Sequence, residues 1–290
     1  DAAVQHAVGL FETMHARRGS VFRIRDHIAR LARSARELGL SEAIRERPLA
    51  QAVQLAVQRS ELERARVRLT VTGGDLNLLA STGKGPSDPT VLIDVQPATD
   101  YPDEMFTRGV AAAIADQRAN PLNHFEGHKT INYWWRLRAL QSAASRGAGE
   151  SIVLQVTNHL AGGAVSNIFL VKNGSLATPI AHTEEEQGAM HSPILPGVTR
   201  RTIIELADRM GVGCAKRMLS VDDLLDADEV FLTNSSWGVL PVVRVEASEI
   251  GDAKPGELTM DLRRKWSAAI DEAASESNDD DDPTAENGHP

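Results

Sequence analysis

Short β-branched segments alternate along this chain with amphipathic helical segments, in no regular order. The first part contains two helical segments, "DHIARLARSARELGL" and "PLAQAVQLAVQRSEL", followed by the strands "ARVRLTVTGG" and "PTVLIDVQPA". Asp26 is the expected N-cap of the first helix, and Pro48 stands at the start of the second. Because hairpins and helices are mixed rather than repeated as βαβ units, the pattern predicts an α+β fold.

A segment rich in turn residues, "DQRANPLNHFEGH", divides the chain. We expect a small N-terminal α/β domain over residues 1–118, a larger C-terminal domain over 119–276 and a disordered acidic tail over 277–290. The larger domain is predicted to contain a helix over 130–146, several strands, and a helix from Thr199 to Met210. A chain of 290 residues is long enough for two ordinary domains.

The charge of the chain argues against nucleic-acid binding. The formal net charge is −9, and five of the acidic residues lie in the tail "SNDDDDPTAENGHP". Without those five, 35 acidic residues stand against 31 basic ones, and the arginines are scattered. We therefore expect no nucleic-acid partner, since such a partner requires a clustered basic face.

The sequence also bears on the compartment. It has no run of about 18 apolar residues and no basic segment leading into an apolar one, so we expect neither a membrane span nor a signal peptide. The single Cys214 excludes an internal disulfide and fits a reducing, cytoplasmic compartment. Because the first residue is Asp1 and not Met, we expect residues to be missing before it.

Lys129 is the first candidate for chemistry. It lies in "NHFEGHKTINYWWRLRALQSAASRG", where a loop leads into an apolar, aromatic-rich helix, in a chain with only six lysines. A lysine in such a place can be desolvated, which favours the neutral amine and makes it a nucleophile. The alternative is a surface lysine whose ammonium group remains in water.

Three further segments have groups suited to anions. Arg30 lies one turn inside its helix, "ILPGVTRRTIIELA" places the amides of Val198 and Thr199 at a helix start, and "TNSSWG" presents the hydroxyls of Ser235 and Ser236. Each has an ordinary alternative: a solvated arginine, a simple helix start and a plain β-connection.

Two further motifs suggest a P-loop and a metal site, but each lacks the residues or the spacing that such a site requires. "STGKG" lacks the upstream glycine and the Ser or Thr of a P-loop. His182 and His191 lie in a polar loop without ligand spacing, so we expect no metal site.

The order of these segments resembles one family. "GLFETMHARRGSVFRIRDHIARLARSARELGL", "HKTINY", "GGAVSNIFLVKNGSLATP", "ILPGVTRRTIIELA" and "DEVFLTNSSWGVLPV" together resemble the class IV (fold type IV) aminotransferases, which are pyridoxal-phosphate enzymes. The family includes branched-chain and D-amino-acid aminotransferases and 4-amino-4-deoxychorismate lyase. The resemblance covers residues 1–270 and implies a two-domain α+β fold with the cofactor, pyridoxal 5'-phosphate, at the domain interface.

The resemblance assigns roles to the candidate residues. Lys129 would form the Schiff base with the cofactor and then move the proton as general base and acid. Arg30 would grip the phosphate, and the amides of Val198 and Thr199, with Ser235, would complete the phosphate cup.

Three more residues receive weaker assignments by the same comparison. Tyr133 lies near the position of a tyrosine that contacts the cofactor's phenolic oxygen in some family members. Its distance from Lys129 along the sequence differs by one residue from the spacing in the family. Ser236 and Thr13 match positions at which the substrate binds. The resemblance also implies a homodimer.

One position departs from the family pattern. Gly162, in "LAGGAVSNIF", stands where the family usually has a Glu that pairs with the ring nitrogen of the cofactor. Without that carboxylate the ring is a weaker electron sink, unless another acid replaces it; Glu126 and Glu12 are the candidates.

Three functions therefore stay open. The chain is a transaminase of amino-acid metabolism acting on a small amino acid and a 2-oxo acid, or a 4-amino-4-deoxychorismate lyase that releases 4-aminobenzoate and pyruvate, or a member whose cofactor chemistry is impaired at Gly162. The motif "GLFET" is similar to the lyase and D-amino-acid branches of the family.

Overall fold

The computed structural model describes residues 1–74 and 89–279. The "STGKG" segment and the acidic tail from residue 280 lie outside these described residues. Within them, no helix is both long enough and apolar enough to cross a membrane.

The first sheet is antiparallel and has the strand order β2-β1-β3-β4, with β1 (Gly9–Arg17), β2 (Ser20–Val21), β3 (Arg64–Thr72) and β4 (Val91–Pro97). In β3 every second residue from Ala65 to Val71 is fully buried. Side chains alternate across a strand, so Arg66 and Arg68 project from the opposite face. This opposite face becomes one wall of the cavity described below.

Three helices accompany the first sheet: α1 (Ala2–His6), α2 (Ile24–Glu37) and α3 (Glu46–Ser60). Ile28 and Leu31 of α2 pack with the buried residues of β1 and β3 in one apolar core. The expectation that Asp26 caps this helix is wrong. The helix begins earlier, after Arg23 in the left-handed conformation (φ 54°), and Asp26 lies in its first turn, where it accepts a hydrogen bond from Arg23.

The second sheet has nine strands: β5 (Val110–Ala119), β6 (Glu150–Gln155), β7 (Leu160–Gly163), β8 (Asn167–Lys172), β9 (Ser175–Thr178), β10 (Cys214–Lys216), β11 (Glu229–Asn234), β12 (Gly238–Val245) and β13 (Ser248–Glu249). Their order is β10-β9-β8-β11-β12-β5-β6-β7, and β13 pairs with β12. Parallel and antiparallel neighbours are mixed, as β5 runs parallel to both β12 and β6. The α+β fold class is confirmed.

The remaining helices are α4 (Glu104–Thr107), α5 (Trp134–Ser145), α6 (Val198–Arg209), α7 (Val221–Leu225) and α8 (Glu257–Asp279). Helices α6 and α8 cover one face of the second sheet, where Ile203 and Trp266 pack with Phe169 and Phe231. The two phenylalanine rings are stacked, with centroids 4.9 Å apart. Helix α8 includes residues 277–279, which were expected to belong to the tail.

Helix α5 starts at Trp134, four residues later than the sequence predicts. The preceding segment is extended because it pairs with β1: Phe11 N donates to Lys129 O (2.9 Å), and Ile131 N donates to Gly9 O (3.0 Å). Two backbone hydrogen bonds thus hold the lysine-bearing peptide to the first sheet.

The sheet to which each strand belongs bears on where the chain divides into domains. Most of the segment "RGVAAAIADQRA" forms β5 inside the second sheet. The expected boundary at residue 118 would assign most of this strand to the first domain. We therefore propose a boundary between Pro97 and Val110.

Candidate active site

A cavity of about 460 Å³ lies between the exposed face of the first sheet and the loops at the edge of the second. All eight residues to which the sequence analysis gave a role in cofactor or substrate binding line this cavity, although they come from five separate segments. They are Thr13, Arg30, Lys129, Tyr133, Val198, Thr199, Ser235 and Ser236.

Arg30 is buried in one wall of the cavity by its partners on β1 and beside α6. Its Nε and Nη2 donate to the two carboxylate oxygens of Glu12 at 2.8 and 2.5 Å, and its Nη1 donates to Pro196 O at 2.9 Å. His27 Nδ1 lies 2.7 Å from Glu12 Oε2. The guanidinium orientation is therefore fixed by a bidentate ion pair.

Glu12 is ionised in this arrangement. Burial acts to raise its pKa, but the charge of Arg30 and the hydrogen bond from His27 outweigh burial, and the pKa of Glu12 falls to about 2. Burial also lowers the pKa of His27. The three side chains form a charged network behind the cavity wall.

The N-terminus of α6 opens onto the same region. Gly197 is its N-cap, no side chain caps the helix, and no acidic residue occupies its first turn. A Cβ at Gly197 would lie 2.0 Å from Asn167 Oδ1, so the close approach of this backbone to Asn167 requires glycine. The first amides of α6 are suited to an anion, because they have no partner within the helix and lie at the positive end of its dipole.

The turn between β11 and β12 brings hydroxyl groups beside this helix start. Asn234 Oδ1 accepts hydrogen bonds from the backbone N–H groups of Ser236 (2.9 Å) and Trp237 (3.0 Å), which fixes the turn. Ser235 Oγ lies 3.5 Å from Thr199 Oγ1. The donors needed for a phosphate are therefore collected in one place.

Lys129 lies in the cavity beside two aromatic rings. Its Nζ is 4.5 Å from the ring centroid of Phe11 and 5.4 Å from that of Tyr133. In residues 1–74 and 89–279 no carboxylate or carbonyl pairs with this amine. The Phe11 and Tyr133 rings pack edge to face, with centroids 5.1 Å apart.

Gly162 lies between two residues of the cavity lining, Ala161 and Gly163, and does not itself belong to the lining. Gly162 has φ +149°, and a Cβ there would approach Ser166 O to 2.8 Å. A side chain at this position would strain the backbone. At Gly163 a Cβ would lie 2.0 Å from Ser166 Oγ and 3.0 Å from Glu150 Oε2.

Glu150 lies behind this wall and is fully buried. Its Oε2 accepts a hydrogen bond from Ser166 Oγ (2.9 Å), and its Oε1 accepts one from Ser151 N (2.8 Å). Burial raises the pKa of Glu150 to about 7, although these hydrogen bonds act to lower it. Ser166 lines the cavity and connects it to this carboxyl group.

The two carboxylates considered as substitutes for the family's Glu are committed elsewhere. Glu12 pairs with Arg30 and His27, and Glu126 accepts a hydrogen bond from Arg136 Nη2 at 2.9 Å. Neither belongs to the described lining of the cavity.

Several lining residues were missed by the sequence analysis. Arg66 and Arg68 belong to the cavity wall, and their alternation with apolar residues in β3 was a signal that they share a face. Thr233 and Trp237 also line it, and in the described part of the chain Thr233 Oγ1 and Trp237 Nε1 are buried without a hydrogen-bond partner. No sequence signal pointed to Glu150.

These features fit pyridoxal phosphate. Its phosphate suits a site formed by the Arg30 guanidinium, the uncapped start of α6 and the hydroxyls of Thr199 and Ser235. Its aldehyde suits the amine of Lys129, which lies beside two aromatic rings.

Comparison with known proteins agrees with the resemblance. The family model described as "Amino-transferase class IV" matches residues 9–245. A putative branched-chain-amino-acid aminotransferase of Methanocaldococcus jannaschii is 29% identical over 269 residues, which is 92% of this chain and 88% of that protein. An aminodeoxychorismate lyase of Bacillus subtilis is 27% identical over 274 residues, 93% of this chain and 88% of that protein.

A solved structure shows the same architecture. The branched-chain amino acid aminotransferase of Escherichia coli superposes with a TM-score of 0.81 at 27% identity, over 92% of this chain and 86% of that one. The expected fold is thereby confirmed. Because the family model spans most of its length, this chain belongs to the class IV aminotransferases, a family of enzymes that use pyridoxal 5'-phosphate.

Proposed function

We propose that this protein is a pyridoxal-phosphate-dependent aminotransferase that moves an amino group between a small amino acid and a 2-oxo acid. The carrying observation is the amine of Lys129, which has no ion-pair partner in the described residues and shares one cavity with Arg30 and the start of α6. A cationic amine in that position would ordinarily acquire a carboxylate partner. The absence of such a partner for Lys129 in the described residues supports a role for this amine as nucleophile.

The geometry supports the residues that the family resemblance assigns to the cofactor. Arg30 would donate to the phosphate, and the amides of Val198 and Thr199 and the hydroxyl of Ser235 would complete its binding. Tyr133 packs beside Lys129 and fixes the approach to it. When bound, the cofactor supplies an electron sink for the bonds at the substrate Cα.

Lys129 has two roles in this proposal. Its Nζ would hold the cofactor through the cofactor's aldehyde, and as a free amine it would take the proton from the substrate Cα as general base and return it as general acid. The Phe11 ring beside Nζ limits access of water to this amine.

The substrate carboxylate would bind away from the phosphate. Ser236 in the β11–β12 turn and Thr13 on β1 are candidates for this contact, since both line the cavity. Thr13 pairs directly with Arg68 across the first sheet, so the two side chains share a face. Arg68 therefore offers a positive charge beside Thr13.

A lyase acting on aminodeoxychorismate is the second candidate, and the arginines of the first sheet favour it. Arg66 and Arg68 both face the cavity, and neither forms an ion pair in the described residues. Two guanidinium groups suit a substrate that has more than one carboxylate. The similarity to the Bacillus subtilis aminodeoxychorismate lyase is consistent with this candidate.

Impaired chemistry at Gly162 is the third candidate. The described wall there offers a serine hydroxyl, Ser166, backed by Glu150, whose pKa burial raises to about 7. A carboxyl group of this kind is a weaker source of negative charge than an ionised glutamate. We infer that Glu150, acting through Ser166, takes the place of the missing carboxylate.

We also propose that the protein is a homodimer that works in amino-acid metabolism in the cytoplasm.

Borohydride reduction of the purified protein tests the nucleophile. We expect the cofactor to become fixed to the peptide containing Lys129, and Lys129→Ala to lose this label together with at least about a thousandfold of activity. Lys172→Ala is the matched control, because Lys172 is exposed and pairs with Asp226 and Asp228. A label that survives in Lys129→Ala contradicts the proposal.

A second measurement separates the candidate reactions. A transaminase converts the bound cofactor to its amine form when an amino acid is added alone, and the 2-oxo acid then restores it. A lyase releases pyruvate from aminodeoxychorismate without any amino acceptor. A protein that binds the cofactor but does neither is the impaired member.

A further inference from the structure

A group of histidine and glutamate side chains lies next to the peptide that carries Lys129. We call it the histidine cluster; it comprises Glu37, His128, His182, Glu185 and His191. Its members come from the end of α2, from the segment before Lys129 and from the loop between β9 and α6. The reaction proposed above uses none of them.

Three of these side chains present ligand atoms to a common point. Glu37 Oε2 lies 2.8 Å from His182 Nε2 and 3.7 Å from His128 Nε2, and one ligand atom from each residue lies within 4.8 Å of the others. A tetrahedral ion with bonds of about 2.0–2.1 Å places its ligand atoms about 3.3 Å apart. Small side-chain rotations would close this set around one ion.

His128 has a second partner of the kind that metal ligands use, and His182 has a carboxylate near its second ring nitrogen. His128 Nδ1 lies 2.9 Å from Ser34 Oγ, which leaves Nε2 facing Glu37. His182 Nδ1 lies 3.7 Å from Glu185 Oε1 and has no hydrogen-bond partner in the described residues, although the His182 side chain is only 7% exposed. An ion on Nε2 would place the proton on Nδ1, where it could be donated to Glu185. Carboxylates commonly orient metal-bound histidines in this way.

The backbone holds two of the three ligands in place. Gly127 has φ +82°, and a Cβ there would lie 2.9 Å from Ser192 O and 3.0 Å from His182 Cβ. The segment before Lys129 therefore packs directly against the loop that carries His182. His182 N also donates to Ile194 O at 2.8 Å. Glu37, at the end of α2, is partly exposed, so the site is open to solvent on that side.

From this geometry we propose that the histidine cluster is a binding site for one divalent transition-metal ion of the Zn²⁺ class, with Glu37, His128 and His182 as ligands and water at the remaining position. Two imidazole nitrogens and one carboxylate oxygen are a ligand set that such ions prefer over Mg²⁺ or Ca²⁺. The ion would connect α2 of the first sheet to two loops of the second. Because His128 precedes Lys129, an occupied site would fix the peptide of the candidate nucleophile. The assignment is independent of the reaction that the enzyme catalyses.

Calorimetric titration of the chelator-treated full-length protein with ZnCl₂ tests this site. We expect one ion per chain, with a dissociation constant in the micromolar range or below. Glu37→Gln, His128→Ala and His182→Ala should each weaken binding at least tenfold, and Glu185→Gln, which removes only an orienting carboxylate, by about tenfold. Every protein in the set is loaded equally with cofactor, so that differences report the site.

Two variants serve as controls. His159→Ala removes a histidine in the β6–β7 turn whose ring hydrogen-bonds to Thr157, and it should bind Zn²⁺ like the wild type. His191→Ala tests the other possible set of His182, Glu185 and His191. We expect it to change affinity less than threefold.

Folding is checked independently of the metal. Glu37→Gln changes a partly exposed side chain, so its melting temperature without metal should match that of the wild type, while the rise in melting temperature on adding ZnCl₂ should disappear. The proposal is overturned if the wild type binds no Zn²⁺, or if Glu37→Gln and His182→Ala bind it as tightly as the wild type. Loss of binding in His191→Ala with retention in Glu37→Gln would also overturn the ligand assignment.

Discussion

Two glutamates lie behind different parts of the cavity wall, and their surroundings drive them in opposite directions. Glu12 and Glu150 are both almost completely buried. The pKa of Glu12 falls to about 2 because Arg30 and His27 outweigh its burial, whereas burial raises the pKa of Glu150 to about 7. Glu150 has hydrogen-bond donors but no cation beside it in the described residues.

The comparison shows that burial alone does not decide whether a carboxyl group is ionised. Removing a carboxylate from water favours its neutral form, and a neighbouring positive charge together with hydrogen bonds to the ionised form can reverse this, as they do at Glu12. Arg30 is itself needed to bind an anion in our proposal, so Glu12 holds a cation in place. Glu150, with its pKa raised to about 7, is only partly ionised at neutral pH and lies with Ser166 beside Gly163.

The largest expected effect comes from breaking the charged network. Glu12→Gln leaves the buried guanidinium of Arg30 without a counter-charge and should lower the free energy of unfolding by about 3–5 kcal/mol. Urea unfolding at pH 7 measures this loss. Glu63→Gln is the control, because Glu63 forms an exposed ion pair with Arg18 and its loss should cost under about 1 kcal/mol. Equal losses in the two variants would contradict the comparison.

The second prediction concerns the pH dependence of stability. The pKa of Glu150 is raised in the folded protein, so its contribution is fully present below about pH 4.5 and is lost as pH rises through about 7. A difference of this size corresponds to about 3 kcal/mol. Glu150→Gln does not ionise and should lack this loss.

Urea unfolding of the wild type and of Glu150→Gln at pH 5 and pH 8 measures the effect. The variant should gain stability relative to the wild type by up to about 3 kcal/mol between these two pH values. A difference between the two proteins that stays constant with pH would show that Glu150 is ionised throughout. Glu12 behaves in the opposite sense, since its depressed pKa contributes stability above about pH 4.5 that is lost as pH falls toward 2.

The smallest effect comes from filling the space between Ser166 and Glu150. Gly163→Ala would place a Cβ 2.0 Å from Ser166 Oγ and displace the hydroxyl from Glu150. We expect a loss of about 1–3 kcal/mol in the free energy of unfolding from this overpacking. Gly213→Ala is the matched control, because no described atom lies within 4 Å of the added carbon. If both variants unfold at the same urea concentration, the contact at Gly163 is not tight.

Eight of the lining residues were predicted from the sequence, because the order of their segments resembles one family. The local signatures, such as Lys129 before an apolar helix and Thr199 at a helix start, each allowed an ordinary alternative. Arg66 and Arg68 were missed, although they alternate with apolar residues in β3. The start of α5 was predicted four residues too early, since periodicity within the segment does not report that it pairs with β1.

Other features depend on contacts between distant segments. Glu150 and Ser166 approach one another only because Gly163, on β7, lacks a side chain. The histidine cluster likewise combines three segments, so the absence of ligand spacing around His182 and His191 led to the expectation of no metal site. Such sites are formed by the packing of the elements and have no signature in any single stretch.

The backbone hydrogen bonds between Phe11 and Lys129 and between Ile131 and Gly9 have a consequence for motion. Lys129 follows β5 in the chain, and β5 belongs to the second sheet. The Lys129 peptide nevertheless pairs with β1, at the edge of the first sheet. If the two halves of the molecule swing apart, Lys129 would travel with Arg30 and separate from the amides of α6. In our proposal, such an opening would loosen the anion site on the α6 side while the distance between the Lys129 amine and the Arg30 guanidinium is kept.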